Sequence, residues 1–171
     1  LAGLPSADER EPLVERMLSD ADLSPASIYF KYYVHQAVIR AGLGDRYLDL
    51  LGEWRRMLDV GLTTWAENAE PTRSDAHAWG ASPNIEFLRT ILGVDSAAPG
   101  FARVAITPHL GALPSVSGRV PHPKGFVDVS LKKAGEGLEA EVTLPDGVEG
   151  QLVWKGKTYA LKPGPQSITA R

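Results

Sequence analysis

The sequence predicts an α+β chain of two parts, an all-α part over roughly 1–94 and an all-β part over roughly 99–171. Apolar residues recur at helical spacing as far as Gly93, and beyond Asp95 they alternate with polar residues at a period of two. The stretch "DSAAPGF" between these patterns is typical of a linker. Because turns separate several short strands, we expect the second part to be a small antiparallel β-sandwich.

The first two predicted helices differ in polarity. Glu11-Pro12 suits the start of the first helix, since proline is tolerated in a first turn. Ser27 can cap the second helix, which Gly42 and Gly44 end. That second helix, "IYFKYYVHQAVIRA", is apolar nearly all round, a pattern that indicates burial.

Two further helices flank a long loop. The third helix is amphipathic and ends at Gly61, and the fourth opens at Ser82-Pro83 and closes at Gly93. The apolar residues of the third fall at helical spacing: Tyr47, Leu50, Leu51, Trp54, Met57 and Leu58. Between the third and fourth helices lies a loop of about twenty residues, although connections in compact domains usually run to about 4–6 residues.

In the all-β part, alternating apolar and polar residues indicate the strands. The clearest strands carry Val127 to Leu131 and Leu138 to Leu144, and "QLVWKGKTYAL" is typical of a tight hairpin around Gly156. Weaker strands are predicted over 103–107 and 113–120. The aromatic residues of this part are spaced as core residues: Phe101, Phe126, Trp154 and Tyr159.

Composition excludes several classes of function. The net charge of −3 and the lack of any Lys/Arg block argue against a nucleic-acid partner or an anionic membrane surface. There is no cysteine, so disulfides, thiolate metal sites and a cysteine nucleophile are excluded. The sequence contains no run of about 18 apolar residues, the pattern that would predict a membrane span. The compartment stays open between cytoplasmic and periplasmic or secreted.

The long loop concentrates the candidate chemistry. Glycoside hydrolysis needs two carboxylates, and aromatic surfaces suit a sugar ring. The loop offers the polar candidates Glu67, Glu70, Arg73, Asp75 and His77 between Trp65 and Trp79, and the preceding helix adds Tyr29, Phe30, Tyr32 and Tyr33. From composition alone this pattern is weak, because most loop carboxylates are solvated and most helical aromatics are core. Asp75 and His77 have a spacing that suits metal ligands, but without a third ligand they do not predict a metal site.

Longer motifs are more specific. "GLTTWAE", followed by "RSDAHAWGASPNIEFLRTILGV", resembles the last part of the bacterial α-L-rhamnosidases of glycoside hydrolase family 78. The preceding "SIYFKYYVHQAVIRAGLGDRYLDLLGEWRRMLDVG" resembles it too, and "PGFARVAITPHLGALPSVSGRVPHPKGFVDVSL" is similar to the start of that family's C-terminal β-domain. The resemblance implies the last helices of an (α/α)6 barrel catalytic domain over 1–94, followed by a β-sandwich domain over 99–171.

The resemblance also implies an activity, an inverting hydrolase that releases terminal α-L-rhamnose from glycosides or polysaccharides. Glu67 corresponds to the general base of the family, and His77 would hydrogen-bond the rhamnose near it. The other expected substrate-binding residues are Trp65, Trp79, Tyr32, Asp75 and Arg73. The sequence departs from the usual family pattern at Trp65, Ala76 and Gly80, where Phe, Cys and Ser are expected, and these changes would reshape the pocket.

The family's general acid lies much nearer the N-terminus, and no part of this chain matches that region. We therefore expect the C-terminal portion of a longer enzyme, inactive by itself, that needs no cofactor or metal. Its expected partners are a rhamnosyl glycoside or oligosaccharide and a cover for the apolar helical face of Phe30, Val34 and Val38. That cover would be the remainder of the enzyme or a second copy.

Two other interpretations stay open. The first is a different glycosidase, or a polysaccharide lyase, on an (α/α)6 toroid; a lyase would give Tyr, His or Arg the leading roles. The second is a non-catalytic carbohydrate-binding or interaction module in which the β-part does the binding. That module would be expected to carry exposed aromatic residues on one sheet face.

Overall fold

The structure, a computed structural model, describes Gly3, residues 5–68 and residues 74–171. The chain divides into two compact units, Leu1–Ile85 and Glu86–Arg171. The domain division at 94–99 stays a prediction, which truncation can test. Among the described residues, none of the helices has the length and apolar character that crossing a membrane requires.

The first unit is helical. Its helices are α1 (Ala7–Ser19), α2 (Ile28–Arg40), a 3-10 helix (Gly44–Leu51), α3 (Gly52–Asp59) and a second 3-10 helix (Ala78–Ala81). The chain continues into α4 (Ser82–Glu86) and a π-helix (Phe87–Ile91), so the predicted fourth helix is present but mixed in type. The buried apolar side chains of the first unit are Val14, Ile28, Val38, Tyr47, Leu51, Trp54, Met57 and Ala66.

The predicted start of the first helix was wrong. Helix α1 begins at Ala7, and Pro12 lies inside it. The signal overlooked was the pair Ser6 and Glu9, whose spacing is that of a capping box. The Ser6 backbone N–H donates to Oε2 of Glu9 at 2.9 Å.

The predicted glycine stops are confirmed for the next two helices. Gly42 has φ +84°, and Gly61 has φ +82°. Beyond each glycine a backbone N–H reaches back into the helix, from Leu43 to the Val38 carbonyl at 3.1 Å and from Leu62 to the Met57 carbonyl at 2.9 Å. Both ends are therefore Schellman motifs, in which glycine adopts a left-handed conformation without a Cβ clash. Leu50 and Leu58 of the third helix lie outside the buried set, and Leu58 is 59% exposed.

Helix α2 is not buried on all sides. Ser27 caps it as predicted, with its hydroxyl accepting the Phe30 N–H at 3.5 Å. Ile28 and Val38 are buried, whereas Phe30 is 58% exposed. The prediction that Val38 belongs to the apolar face needing a cover was therefore wrong. The open face instead holds Phe30 with its neighbours Tyr29 and Tyr33.

The second unit contains two four-stranded sheets, in the orders β1-β2-β6-β7 and β3-β4-β5-β8. The strands are β1 (Val94–Ser96), β2 (Arg103–Ile106), β3 (Ser115–His122), β4 (Gly125–Ala134), β5 (Gly137–Leu144), β6 (Glu149–Trp154), β7 (Lys157–Leu161) and β8 (Gly164–Ala170). The second sheet is antiparallel throughout. The first departs from the prediction, since β2 and β6 are parallel. The hairpin at Gly156 is confirmed, with Lys155 and Gly156 both at positive φ as a type I′ turn requires.

The stretch expected to be a linker begins with a strand. Residues Val94–Ser96 form β1 and pair antiparallel with β2. Gly93 precedes this strand at φ +85°, and a Cβ there would lie 2.4 Å from the Thr107 carbonyl carbon. This short strand was missed because its three residues are too few to show alternation.

A continuous apolar core joins the inner residues of both sheets. It includes Leu92 and Val94 as well as the alternating residues of β4 and β5. Phe101, Trp154 and Tyr159 pack against it, as predicted. Phe126 does not: it is 51% exposed on the outer face of β4, which corrects its assignment to the core.

Candidate functional site

The two described segments of the long loop lie side by side. The Glu67 N–H donates to the Ser74 carbonyl at 3.0 Å, and the His77 N–H donates to the Trp65 carbonyl at 2.7 Å. The Thr64 hydroxyl also donates to the Asp75 carbonyl. These bonds hold Glu67, the expected base, and His77, the expected sugar-binding residue, on neighbouring segments of the loop.

The helical unit anchors this loop through its tryptophans. Nε1 of Trp54, on α3, donates to the Gly80 carbonyl at 2.6 Å in a buried hydrogen bond. Ala66 is completely buried. Gly80 packs so closely that a Cβ would lie 3.0 Å from Cβ of Trp65 and 3.1 Å from the Ala66 carbonyl oxygen. The family pattern has serine at position 80. A serine there would require these neighbours to shift by a few tenths of an ångström.

Aromatic side chains from α2 and the loop form one wall. The Tyr29 and Trp79 ring centroids lie 5.2 Å apart, and the His77 ring lies 4.2 Å from that of Trp79. Beside this wall is a cleft of about 310 Å³. Its lining residues are Tyr29, Tyr32, Ala78, Trp79, Ala81 and Ser82. The cleft is thus lined by three aromatic and three small side chains.

Two buried polar atoms at this wall are unsatisfied. Within the described part of the chain, Nδ1 of His77 and Oγ of Ser82 have no hydrogen-bond partner. Buried polar atoms are nearly always paired, so such atoms beside a cleft are candidates for ligand contacts. The Tyr29 side chain also raises the pKa of the Tyr33 hydroxyl by hydrogen bonding, so this phenol stays neutral at ordinary pH.

The structure brings together some of the predicted site residues. Tyr32 and Trp79 line the same cleft, the His77 ring packs on Trp79, and Trp65 is tied to His77 through the backbone. Glu67 is half-buried on the neighbouring segment, and Asp75 is exposed. Arg73 and Glu70 lie outside the described residues.

Three cleft residues were not predicted, Ala78, Ala81 and Ser82, and only Ser82 has a polar side chain. Ser82 reads in sequence only as the start of a helix, because Ser-Pro is a common helix opening. Its place in the cleft depends on how the loop returns to α2. Among the described residues there is no cluster of three or more His, Asp or Glu side chains that could hold a metal ion.

Comparison with known proteins shows which proteins this chain resembles. A family profile described as "Bacterial alpha-L-rhamnosidase C-terminal domain" matches residues 93–169. A curated α-L-rhamnosidase from Alteromonas sp. (strain LOR) is 35% identical over 68 residues, 39% of this chain and 7% of that protein. The family 78 rhamnosidase of Bacillus sp. GL1 is 31% identical, with a TM-score of 0.73 over 85% of this chain and 17% of that one. The chain is related to the C-terminal part of the family 78 α-L-rhamnosidases.

The likeness to rhamnosidases extends over both units. The α-L-rhamnosidase of Aspergillus terreus has a TM-score of 0.82, covering 98% of this chain and 22% of that one. At 17% identity this match shows the shared fold alone. The chain spans about a fifth of the length of these two solved rhamnosidases. The family profile covers the β-sandwich almost from end to end, so this sandwich is similar to the rhamnosidase C-terminal domain.

Proposed function

We propose that the chain supplies the general-base side of an inverting α-L-rhamnosidase active site. The observation that carries this proposal is the cleft beside Tyr29 and Trp79, next to a His77 ring with an unpaired buried nitrogen. A sugar has apolar ring faces and polar edges, so it suits a site with aromatic surfaces and a few polar atoms. The names of the relatives support rhamnose as that sugar.

Glu67 acts as the base in this proposal. A water lies between its carboxylate and the anomeric carbon. As the water oxygen bonds to that carbon, Glu67 takes a proton from the water and the bond to the leaving oxygen breaks. A carboxylic acid from outside this chain protonates the leaving oxygen, and the two carboxyl groups lie about 6.5–9.5 Å apart to admit the water.

The other site residues bind and orient the sugar. His77 hydrogen-bonds the rhamnose. The aromatic rings of Trp65, Trp79 and Tyr32 contact the sugar, and Asp75 and Arg73 add polar contacts. The backbone bond from the Glu67 N–H to Ser74 supports this arrangement, since it fixes the base segment against the segment that carries His77. Neither a metal nor a cofactor takes part in the proposed chemistry.

The helical unit is proposed to form the end of an (α/α)6 barrel. Its open face of Tyr29, Phe30 and Tyr33 would be covered by the remainder of the enzyme or by a second copy. The exposure of these rings supports the proposal, because large apolar side chains side by side on a surface usually mark a contact site.

The test is substitution of Glu67 in a complete rhamnosidase that contains these 171 residues. Glu67→Gln keeps the shape but cannot accept the proton, so we expect kcat on 4-nitrophenyl α-L-rhamnoside to fall about 10²–10⁴-fold with little change in KM. Glu70→Gln, in the same loop, is the control and should retain most activity. Equal losses in both variants would show that Glu67 is not the base.

Azide separates a catalytic role from a structural one. In Glu67→Ala the space left by the side chain admits azide, which attacks the anomeric carbon without needing a base. We expect azide to restore turnover in that variant and to yield a rhamnosyl azide of inverted configuration. Loss of activity that azide does not restore would point to misfolding of the loop.

A further inference from the structure

The outer face of the β3-β4-β5-β8 sheet contains a groove of about 440 Å³. Alternation along β4 places Val127 and Val129 in the core and directs Phe126, Asp128 and Ser130 outward. The same alternation on the other three strands brings their outward residues into register with these. The groove belongs wholly to the second unit and shares no residue with the cleft beside Trp79.

Two cross-strand rows supply most of the polar lining of the groove, to which Gln166 adds, and Ser167 borders it. One row is Arg119, Asp128, Thr143 and Pro165, and the next is Ser117, Ser130, Glu141 and Ser167. Three of the four residues in the second row are serines. Because serine is short, this row leaves open a volume that longer side chains would fill.

The charged groups of the groove are engaged within it. Nε of Arg119 lies 2.5 Å from Oδ1 of Asp128, and the Ser167 hydroxyl donates to Oε2 of Glu141 at 2.7 Å. Two carboxylates against one guanidinium leave the groove with a net charge of −1. An anionic ligand is therefore disfavoured, since the only cation lining the groove, among the described residues, is already paired.

The groove also has an apolar border. The Arg119 guanidinium lies 5.2 Å from the Phe126 ring centroid, and Phe126 is 51% exposed. One cross-strand row on the outer face of the other sheet reads Asp95, Ala105, Gln151 and Ala160, so it carries one carboxylate and no hydroxyl. Hydroxyls, carboxylates and an aromatic ring therefore meet on one sheet of the sandwich.

From these features we propose that the groove is a non-catalytic binding site for a neutral carbohydrate chain. Serine and threonine hydroxyls both donate and accept, and carboxylates accept, which matches a ligand whose groups are hydroxyls. The exposed ring of Phe126 offers a surface for an apolar sugar face. The volume lies within the range of about 300–1,000 Å³ found for small-molecule sites. The proposal does not depend on the role of Glu67.

The test follows backbone amide NMR signals of the 171-residue chain during titration with oligosaccharides. Neutral probes are cellohexaose, xylohexaose and an oligosaccharide of α-linked L-rhamnose; trigalacturonate is the anionic probe. We expect saturable shifts from at least one neutral probe, centred on the groove residues 117–119, 128–130, 141–143 and 165–167. Trigalacturonate should bind at least about tenfold more weakly.

Paired variants distinguish a groove from a solvated face. Ser130→Lys fills the groove, and Ser115→Lys makes the same change on the same sheet face outside it. Glu141→Gln and Glu139→Gln form a second pair on β5, in which only the first residue lines the groove. We expect Glu141→Gln to weaken binding by at least about tenfold, the effect of losing a hydrogen bond to a charged group. Ser130→Lys should weaken it at least as much because its long side chain occupies the groove, and each control should stay within about twofold.

Three results would overturn the proposal. The first is the absence of a saturable shift with every neutral probe. The second is an equal loss of binding in groove and control variants, and the third is preferential binding of trigalacturonate. Shifts at the groove that depend on protein concentration in the absence of sugar would instead assign this face to a second copy of the chain. Shifts confined to Tyr29, Tyr32 and Trp79 would support the rhamnosidase cleft while rejecting the groove.

Discussion

The helical unit and the β-sandwich unit bury their apolar residues to different extents. Among the described residues, the large hydrophobic side chains left exposed lie almost entirely in the helical unit, as Leu13, Leu23, Tyr29, Phe30, Tyr33, Leu58, Val60, Trp79 and Ile85; the sandwich unit adds only Phe87 and Phe126. The sandwich has a continuous core whose central residues are almost inaccessible.

The difference follows from geometry. A strand with a period of two has one apolar face, and a second sheet covers that face completely. Helix α2 carries apolar residues around most of its circumference, and the neighbouring helices of the unit cover only the side of Ile28 and Val38. The sandwich therefore covers its own apolar residues, whereas the helical unit leaves many exposed, which fits our proposal that it is part of a larger helical assembly.

The largest expected effect comes from separating the units. A fragment of residues 82–171 should fold alone, because it keeps Leu92, Val94 and strand β1. A fragment of 99–171 loses them, and burial of each large side chain is worth about 1.5–3 kcal/mol against a typical total stability of about 5–15 kcal/mol. We expect the shorter fragment to be largely unfolded in thermal melts followed by circular dichroism.

The matching fragment 1–85 completes this experiment. With its open aromatic face it should bind a hydrophobic dye and associate, as measured by light scattering at the same concentration. If 99–171 melts within a few degrees of 82–171, the division at 94–99 is the true domain boundary. A monomeric, dye-free 1–85 would reject the need for a covering partner.

A smaller effect compares one glycine in each unit. Gly93 and Gly61 have nearly the same φ, +85° and +82°, but a Cβ at Gly93 would lie 2.4 Å from Pro108 N whereas one at Gly61 meets nothing within 4 Å. Gly61→Ala should cost about 1–2 kcal/mol for the left-handed conformation alone. Gly93→Ala should cost about 1–3 kcal/mol more from overpacking.

Urea denaturation followed by amide signals of each unit measures both glycine variants. Each substitution should destabilise mainly its own unit. Equal costs at the two positions would mean that the backbone around Thr107 and Pro108 yields readily, and that the sandwich is less tightly packed than its core indicates.

The smallest effect concerns pH and the start of α1. The Ser6 side chain lowers the pKa of Glu9 below its usual 4.5 by hydrogen bonding, and the Ser6 backbone adds to this. Since the folded-state pKa is lowered, the cap stabilises the helix fully above about pH 4.5 and is lost as pH falls through the lower folded-state pKa. NMR titration of the Glu9 carboxyl should show its pKa rise toward 4.5 in Ser6→Ala.

The sandwich offers a matched control for this titration. The Lys155 ammonium lowers the pKa of the Glu136 carboxyl, and Lys155→Gln should raise it. Ser6→Ala should leave Glu136 unaffected, and Lys155→Gln should leave Glu9 unaffected. A Glu9 titration that is unchanged in Ser6→Ala would show that the capping box does not persist in solution.

Features set by neighbouring residues were predictable from the sequence. The alternation over Val127–Leu131 predicted β4, and the positive-φ glycines at 42, 61 and 156 were found at two helix ends and a hairpin. The clustering of Trp65, His77 and Trp79 in one loop predicted a candidate site, which stays a prediction. The resemblance of residues 99–131 to the rhamnosidase C-terminal β-domain agrees with the family profile over 93–169. All of these depend on interactions within a few residues, which leave a periodic or local signature.

Features that join distant segments were decided only by the tertiary structure. The parallel pairing of β2 with β6, the exposure of Phe126, the face of α2 that stays open and the place of Ser82 in the cleft have no local signature. The same helix sequence can bury either face, and a short strand can pair in either direction. Which alternative is adopted depends on the neighbours that the fold supplies, and on the loop closures that bring them together.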